Sequence, residues 1–304
     1  MSEPTQRDVG RGLWIALASF LLWGVMPLYW HLLKSVPSLQ IVLHRIAWSA
    51  VFVCGWLFFT RGRHWLQATL AQPRLAWMLA LSGVFISVNW GLYIWAVNAG
   101  HVVEASLGYF INPLLNVLLG VVFLRERLRP MQWLSVAVAT GGVLWLTLHH
   151  GSFPWIALAL ATSFAMYGLI RKLAAVDSIA GLGVESAYLF PPVVAWLLWS
   201  ETHGTGGFGA GFGAWASLLL VLGGVVTALP LIGFAYAVRR IPLATVGLMQ
   251  YIAPTMQLLI GVLVFHEPFG SDRAIGFTCI WIALAVFAVD GMLRQRRQAV
   301  VPLA

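Results

Sequence analysis

Apolar residues fall into ten long runs that are separated by short polar connections, and this pattern dominates the chain. Each run has about the 17–25 residues that an α-helix needs to cross the hydrocarbon core of a bilayer. Backbone hydrogen bonds cannot stay open in lipid, and the runs lack the apolar–polar alternation of barrel strands, so we predict membrane-spanning helices. The ten predicted spans are 13–33, 39–59, 75–97, 102–124, 131–148, 153–172, 179–200, 215–237, 243–265 and 274–293.

The composition also indicates a polytopic membrane protein. Hydrophobic residues make up 60% of the chain and charged residues only 9%, whereas a soluble domain carries about 25% charged residues. The first apolar run is longer than the core of a signal peptide, which has about 7–15 residues, and no small-residue cleavage site follows it. We therefore interpret this run as a retained first helix.

The basic residues predict how these spans are oriented. With a cytoplasmic N-terminus, fifteen of the eighteen Lys and Arg residues fall on the cytoplasmic side, as the positive-inside rule requires. We predict a multi-pass protein of a bacterial-type inner (plasma) membrane with both termini in the cytoplasm. The net charge of +8 is then explained by topology, and we do not expect nucleic acid as a partner.

The chain contains an internal repeat. Segment 104–127 has a proline near its middle and an acid after its apolar part, and segment 245–268 repeats this layout. At a constant offset of 141 residues, the matched pairs are Pro113 and Pro254, Gly120 and Gly261, and Glu126 and Glu267. Because each half has an odd number of spans, the second half is inserted upside down. Inverted repeats place a binding site near the midplane, reached in turn from each face, so the repeat predicts a secondary transporter.

The first helices of the two halves match as well, at an offset of 144 residues. Ser19 and Phe20 correspond to Ser163 and Phe164, and Gly24 corresponds to Gly168. We divide the chain accordingly into four parts. They are a cytoplasmic tail (1–12), a first five-helix repeat (13–148), a second, inverted repeat (153–293) and a cytoplasmic C-terminal tail (294–304).

Three ionisable side chains in the spans are candidate site residues, because charges inside a membrane are costly. Arg45 and Glu104 both fall in the outer leaflet, so we predict that Arg45 pairs with Glu104 or holds a substrate carboxylate. Snorkelling of Arg45 toward the surface is the alternative. Glu185 is the candidate proton carrier or amine-binding acid, and an interfacial acid near Arg171 or Lys172 is the alternative. Arg45 and Glu185 lie on opposite sides of the midplane, so we expect no direct salt bridge between them.

Uncharged polar and aromatic side chains in the spans are candidates for lining a cavity, although helix packing or interfacial anchoring would explain any one of them. The candidates for substrate binding or gating are Asn89, Trp90, Tyr93, Tyr109, Asn112, Gln250 and Tyr251. Pro113 and Pro254 each remove a backbone donor and leave a carbonyl open one turn earlier. We predict helix breaks at these two prolines.

Four motifs resemble the RarD branch of the drug/metabolite transporter superfamily. They are H-R-I-A-W-S at 44–49, N-W-G-L-Y-I-W-A-V-N at 89–98, E-A-S-L-G-Y-F-I-N-P-L at 104–114 and Q-Y-I-A-P-T at 250–255. The resemblance covers residues 12–297 and implies ten helices in two inverted EamA-type repeats. It also implies export or facilitated passage of small metabolites or drugs, and the branch carries a label of association with chloramphenicol.

The sequence therefore predicts a secondary transporter, in particular an exporter, that moves small organic metabolites or drugs by alternating access. Its expected partners are a small-molecule substrate and the lipid bilayer, and a coupling proton is a further candidate. Without a P-loop lysine motif, paired acids or a cluster of metal ligands, we expect no cofactor, no metal site and no enzyme activity. Two alternatives stay open: a membrane-embedded assembly or regulatory partner without transport, and an integral membrane enzyme acting on a lipid or isoprenoid.

Overall fold

The computed structural model describes residues 6–98, 102–148, 153–266 and 270–299. Twelve helices and no strand make up this part of the chain. In chain order they are α1 (Gln6–His31), α2 (Ser38–Arg61), α3 (His64–Leu70), α4 (Pro73–Asn98), α5 (Val102–Val122), α6 (Pro130–Leu148), α7 (Trp155–Leu173), α8 (Ser178–Thr202), α9 (Ala214–Val238), α10 (Leu243–Gln250), α11 (Ile252–Leu263) and α12 (Ser271–Ala299).

Eight helical segments in the described ranges are long and apolar enough to cross a membrane. They belong to α1, α2, α4, α6, α7, α8 and α9, and the eighth joins α10 to most of α11. Shorter apolar stretches occupy Leu107–Val122 in α5 and Ala274–Asp290 in α12. Large apolar side chains such as Phe59 and Trp77 are 87% and 76% exposed, which suits a lipid environment. The prediction of an all-helical, multi-pass membrane protein is confirmed at this level.

Apart from shifted ends, such as α1 beginning at Gln6 and α12 ending at Ala299, the helices differ from the predicted spans in two places. The predicted span 243–265 consists of two helices that are separated at Tyr251. This break lies just before Pro254, because proline lacks the N–H that would bond to the carbonyl four residues earlier and its ring crowds that carbonyl. In contrast, α5 continues through Pro113, so the predicted helix break at this proline is wrong. A proline removes only one backbone donor, and a membrane helix can continue past it where neighbouring groups accommodate the freed carbonyl. The seven-residue α3 is the second difference, since the apolar pattern does not mark it.

The helices of the two halves pack in matched combinations. α1 packs against α9 and α11, whereas α7 packs against α4 and α5. α2 packs against α9, whereas α8 packs against α4. Three further pairs, α2 with α8, α5 with α10, and α6 with α12, join helices at equivalent places in the two halves. If the two halves are exchanged, the contacts of α1 and α2 correspond to those of α7 and α8, and each of the last three pairs corresponds to itself.

An aromatic cluster joins α1, α7 and α9 in the core. Phe234 of α9 lies with its ring centroid 6.4 Å from that of Phe20 and 5.8 Å from that of Trp23 on α1. It also lies 5.3 Å from Phe164 and 6.0 Å from Tyr167 on α7. The α1 and α7 members correspond to one another at the 144-residue offset. One ring of α9 therefore holds equivalent positions of the two halves together.

The matched glycines of α1 and α7 both lie where helices approach closely. A Cβ atom on Gly24 would come within 2.7 Å of Met256 Cβ on α11, and one on Gly168 within 3.1 Å of Phe234 Cζ on α9. Glycine at these positions leaves room for a side chain of a neighbouring helix. The repeated glycine therefore has the same packing role in both halves.

Glu126, which follows α5, connects four helix ends at one side of the bundle. Its carboxylate oxygens accept hydrogen bonds from the backbone N–H groups of Leu243 and Ala244 at 2.7 and 2.9 Å. Lys172 Nζ, at the end of α7, lies 3.4 Å from Glu126 Oε1. It also donates hydrogen bonds to two backbone carbonyls, one at the last residue of α9 and one in the connection to α10. A carboxylate is favourable here because the first N–H groups of a helix lack intrahelical partners.

Candidate functional site

Arg45 of α2 is held between the two halves by side chains from three other helices. Its Nε atom donates a hydrogen bond to Thr227 Oγ1 of α9 at 3.0 Å. The rings of Trp30 on α1 and Trp90 on α4 have their centroids 4.7 and 5.1 Å from the guanidinium carbon. Such cation–π contacts stabilise a cation by about 0.5–2 kcal/mol each. One hydrogen bond and two indole rings therefore fix the orientation of the guanidinium.

Two tyrosines complete the surroundings of this arginine. Tyr93 of α4 and Tyr109 of α5 pack edge to face with ring centroids 5.8 Å apart, and both lie in the neighbourhood of Arg45. Tyr93 and Tyr109 are 37% and 38% exposed. We define the Arg45 site as the group that consists of Trp30, Arg45, Trp90, Tyr93, Tyr109 and Thr227.

The acid that the sequence suggests as a partner for Arg45 lies outside the described side chains. The structure includes the backbone of Glu104 in α5 but does not describe its side chain, so the Arg45–Glu104 pair stays a prediction. Among the side chains that the structure does describe, no carboxylate forms a salt bridge with Arg45. Within that set, the Arg45 site carries a positive charge without a counter-charge.

Glu185 of α8 belongs to a second polar cluster. We call it the Glu185 cluster, and its other members are Ser82 of α4 and Tyr167 and Arg171 of α7. The Oε1 atom of Glu185 accepts a hydrogen bond from Ser82 Oγ at 2.6 Å and lies 3.4 Å from Arg171 Nη1. The side chains of Arg171 and Glu185 are only 1% and 2% exposed. Arg171 Nη2 also donates to the carbonyl of Ser178 at 2.9 Å. The acid thus lies near Arg171, as the alternative interpretation had it, but the ion pair is buried rather than interfacial.

Several polar atoms of this second cluster have no hydrogen-bond partner in the described part of the chain. They are Glu185 Oε2, Arg171 Nε and Nη1, and the Tyr167 hydroxyl. Buried polar atoms are normally satisfied by protein or by water. Glu185 and Tyr167 line a small cavity that has room for about one water molecule. Trp90 lines the same cavity, so this ring borders both the Arg45 site and the Glu185 cluster.

Two of the predicted polar residues join helices to one another. Asn89 of α4 donates to the carbonyl of Leu160 at 2.8 Å and to Ser163 Oγ at 3.0 Å, both on α7. Gln250, the last residue of α10, accepts a hydrogen bond from Asn116 Nδ2 of α5 at 2.6 Å. These contacts connect α4 to α7 and α5 to α10, which are helices of different halves.

Asn112 and Tyr251, the other two predicted residues, are buried beside the matched prolines. Asn112 is 3% exposed and precedes Pro113, and Tyr251 is fully buried at the break before Pro254. The Oδ1 atom of Asn112 and the hydroxyl of Tyr251 have no hydrogen-bond partner within the described ranges. Both side chains therefore place a polar group in an apolar part of the helix packing.

Sequence reasoning missed four residues of these two clusters, Trp30, Ser82, Tyr167 and Thr227, and named Arg171 only as a possible neighbour of Glu185 at the membrane surface. Ser82 and Thr227 are small hydroxyl residues inside apolar runs and carry no distinctive signal. Arg171 stands next to Lys172 at the end of a span, a position that suggests the membrane surface. Only the repeat could have pointed to one of these residues, Tyr167, because Tyr167 lies 144 residues after Trp23.

A mainly apolar helical bundle with charged clusters between its halves has the features of a membrane transporter, and comparison with known proteins agrees. The sequence profile of the EamA-like transporter family matches residues 10–148. The uncharacterized transporter YojE of Bacillus subtilis (strain 168) is 47% identical over 95% of this chain and 97% of its own length. Protein RarD of Escherichia coli (strain K12) is 43% identical over 96% of this chain and 98% of its own.

Two further comparisons support the same assignment. The chloramphenicol-sensitive protein RarD of Pseudomonas aeruginosa (strain PAO1) is 34% identical over 96% of this chain and 98% of its own. A crystal structure of a protein with 21% identity has a TM-score of 0.67 and covers 90% of this chain and 96% of its own, which supports the fold. The chain belongs to the EamA-like transporter family, in a RarD-like branch. The resemblance stated from the sequence motifs is confirmed.

Proposed function

We propose that this protein is a secondary transporter that exports small organic metabolites or drugs by alternating access. The observation that carries the proposal is that equivalent helices of the two halves make equivalent contacts. α1 contacts α9 and α11, and its counterpart α7 contacts α4 and α5. This correspondence is expected of inverted repeats, whose binding site lies at their interface. The Arg45 site, with members on α1, α2, α4, α5 and α9, lies at an interface of this kind.

In this proposal the bundle has ten spans. The first repeat, residues 13–148, contains α1, α2, α4, α5 and α6, and the inverted repeat, residues 153–293, contains α7, α8, α9, the α10–α11 pair and α12. Segments 1–12 and 294–304 belong to the cytoplasmic side. The asymmetry of Lys and Arg supports this orientation in the inner membrane.

The proposed substrate path passes the Arg45 site and the Glu185 cluster. Arg45 binds the substrate, and Glu104, near the outer end of α5, acts in gating. Glu185 carries a coupling proton, which is supported by its unpartnered Oε2 atom and its place at the cavity. The contacts between helices of different halves act in gating, and the residues assigned to them are Asn89, Asn112, Pro113, Gln250, Tyr251 and Pro254.

Comparison of culture media tests the export proposal. Cells would express the wild type, Arg45→Ala, Arg61→Ala or no transporter, at matched protein levels. Arg61 is the control because it lies at the exposed end of the same helix. Chloramphenicol belongs among the compounds tested, since the name of the Pseudomonas relative refers to it. We expect one class of small molecules to accumulate outside with the wild type and Arg61→Ala only. Media that match the empty control would contradict transport and favour an assembly or regulatory partner.

A proteoliposome experiment tests the coupling proton. Uptake of the exported compound would be measured with and without an imposed pH gradient, for the wild type, Glu185→Gln and Glu201→Gln. Glu201 is the matched control because it is an exposed acid at the other end of α8. We expect the gradient to accelerate uptake by the wild type and Glu201→Gln but not by Glu185→Gln. A gradient response that persists in Glu185→Gln would remove this residue from the coupling role.

A further inference from the structure

The Arg45 site contains one cation and, among the described side chains, no acid. Its remaining members are two indole rings, two phenol rings and one hydroxyl group. Aromatic faces attract a cation without neutralising its charge. Ionised groups within a membrane are costly and mark places where a charged partner or ligand acts. The site is therefore electrostatically complementary to an anion.

The contacts of Arg45 leave a particular part of the guanidinium available. The Nε atom is occupied by Thr227 Oγ1, and the rings of Trp30 and Trp90 lie close to the guanidinium carbon. Neither terminal nitrogen, Nη1 or Nη2, donates a hydrogen bond to a residue in the described ranges. These two nitrogens form the planar fork that binds both oxygens of a carboxylate.

The walls of the site indicate what the rest of the ligand is like. The indole rings of Trp30 and Trp90 lie beside the guanidinium, and flat groups stack favourably against such rings. The hydroxyl groups of Tyr93 and Tyr109 can donate hydrogen bonds to oxygen atoms of an anion. A single arginine balances one negative charge, and it repels an amine. These features together select a flat molecule with one carboxylate.

We propose that the Arg45 site binds an organic monoanion whose carboxylate pairs with the fork of Arg45 and whose flat apolar body packs against Trp30 and Trp90. The inference rests on the proposed function, since it assigns the substrate class of the same site. It distinguishes aromatic and similar flat carboxylates, which bind tightly, from neutral compounds of the same shape, which bind more weakly, and from amines, which do not bind.

Binding of three probes with the same ring tests this proposal. The full-length protein, purified in dodecyl maltoside without added lipid, would be titrated with benzoate, benzamide and benzylammonium while thermal unfolding is followed. We expect benzoate to bind about tenfold or more tightly than benzamide, because only benzoate can form the charge-assisted pair. Benzylammonium should not bind. This comparison uses the wild type alone and does not depend on any variant.

Variants then assign the preference to Arg45. Arg45→Gln should reduce the preference for benzoate over benzamide to about twofold or less, and Arg45→Lys, which keeps the charge but loses the fork, should leave an intermediate preference. Arg61→Gln removes the same charge from the exposed end of the same helix and should leave the preference unchanged.

Several results would overturn the inference. They are an absence of benzoate binding, equal binding of benzoate and benzamide, and an undiminished preference in Arg45→Gln. Stabilisation by phosphatidylglycerol but not by benzoate would also overturn it, because the charge would then serve a lipid headgroup. The proposed function is tested by a separate result. If benzoate binds but no solute is exported, transport is contradicted. If a neutral or cationic solute is exported and benzoate is not preferred, only the anion site is contradicted.

Discussion

The two arginines inside the bundle, Arg45 and Arg171, have opposite surroundings. Arg171 faces a carboxylate, Glu185, and donates to the carbonyl of Ser178. Arg45 faces two indole rings and the hydroxyl of Thr227, and no described acid pairs with it. The same type of side chain thus forms an internal ion pair in one place and, among the described side chains, has no counter-charge in the other.

The difference has an energetic consequence. Removing one member of a buried ion pair leaves the other charge without compensation, which is far more costly than the pair itself is stabilising. Neutralising a cation that has no counter-charge leaves no such orphan. Stability measurements therefore distinguish a paired arginine from an uncompensated one, and the predictions below use that difference.

The largest effect is expected for Arg171→Met. Because Glu185 would then be buried without a counter-charge, we expect the free energy of unfolding to fall by about 3–5 kcal/mol, measured by denaturation in mixed micelles. The double variant Arg171→Met/Glu185→Leu should recover most of this loss, since an apolar pair of similar volume leaves no charge behind. A single variant as stable as the wild type would contradict the buried pair.

A smaller loss is expected for Glu126→Ala. This variant removes the carboxylate that accepts the N–H groups of Leu243 and Ala244 and contacts Lys172. Hydrogen bonds to charged groups contribute about 1.5–3 kcal/mol, so we expect a loss of about 2 kcal/mol. Glu201→Ala is the control, because Glu201 also accepts two backbone N–H groups but is exposed, and it should cost less. Equal losses would argue against a special role of the α10 contact.

Asp177, outside the spans, connects α2 to the start of α8 and should make stability depend on acid pH. Burial alone would raise the pKa of Asp177, but hydrogen bonds from Arg61 and from the N–H groups of Ile179 and Ala180 outweigh it and lower this pKa. The stabilisation is therefore complete above the usual aspartate pKa of about 4 and is lost as the pH falls through the lowered value.

Removal of this cap tests the pH dependence. Asp177→Ala should cost about 1 kcal/mol of stability at neutral pH, the usual effect of losing an N-cap. The difference from the wild type should shrink below pH 4, the window that the lowered pKa defines. Arg61→Gln keeps the cap and loses only an exposed ion pair, so a smaller loss is expected. A difference that stays constant down to acid pH would contradict the linkage.

The smallest change in stability is expected at Arg45, for which no described acid is a partner. Arg45→Gln should alter the free energy of unfolding by less than about 1 kcal/mol, because the lost cation–π contacts are offset by the removal of a costly charge. Arg171→Gln is the matched comparison and should lose about 3–5 kcal/mol. A loss at Arg45 as large as that at Arg171 would indicate a counter-charge, for which Glu104 is the candidate.

The membrane class and the family could be predicted from the sequence because their signals are local or additive. Apolar runs of sufficient length define membrane helices wherever they pack, since the cost of leaving lipid depends on the residues of the run itself. The motif at 104–114 indicated the family in the same way. The break at Tyr251 was only partly predictable, because two similar prolines had different outcomes: Pro254 follows a break, and Pro113 lies within α5.

The partners of the charged residues, in contrast, were beyond reach of the sequence. Arg171 was expected at the membrane surface, yet it turns inward to Glu185, and Arg45 lies among side chains from α1, α4 and α9 that no spacing connects. Hydropathy and basic-residue counts sum along the chain, so they determine spans and class. Which side chains meet depends on how helices from both halves rotate and cross, and that geometry arises only when distant segments pack together.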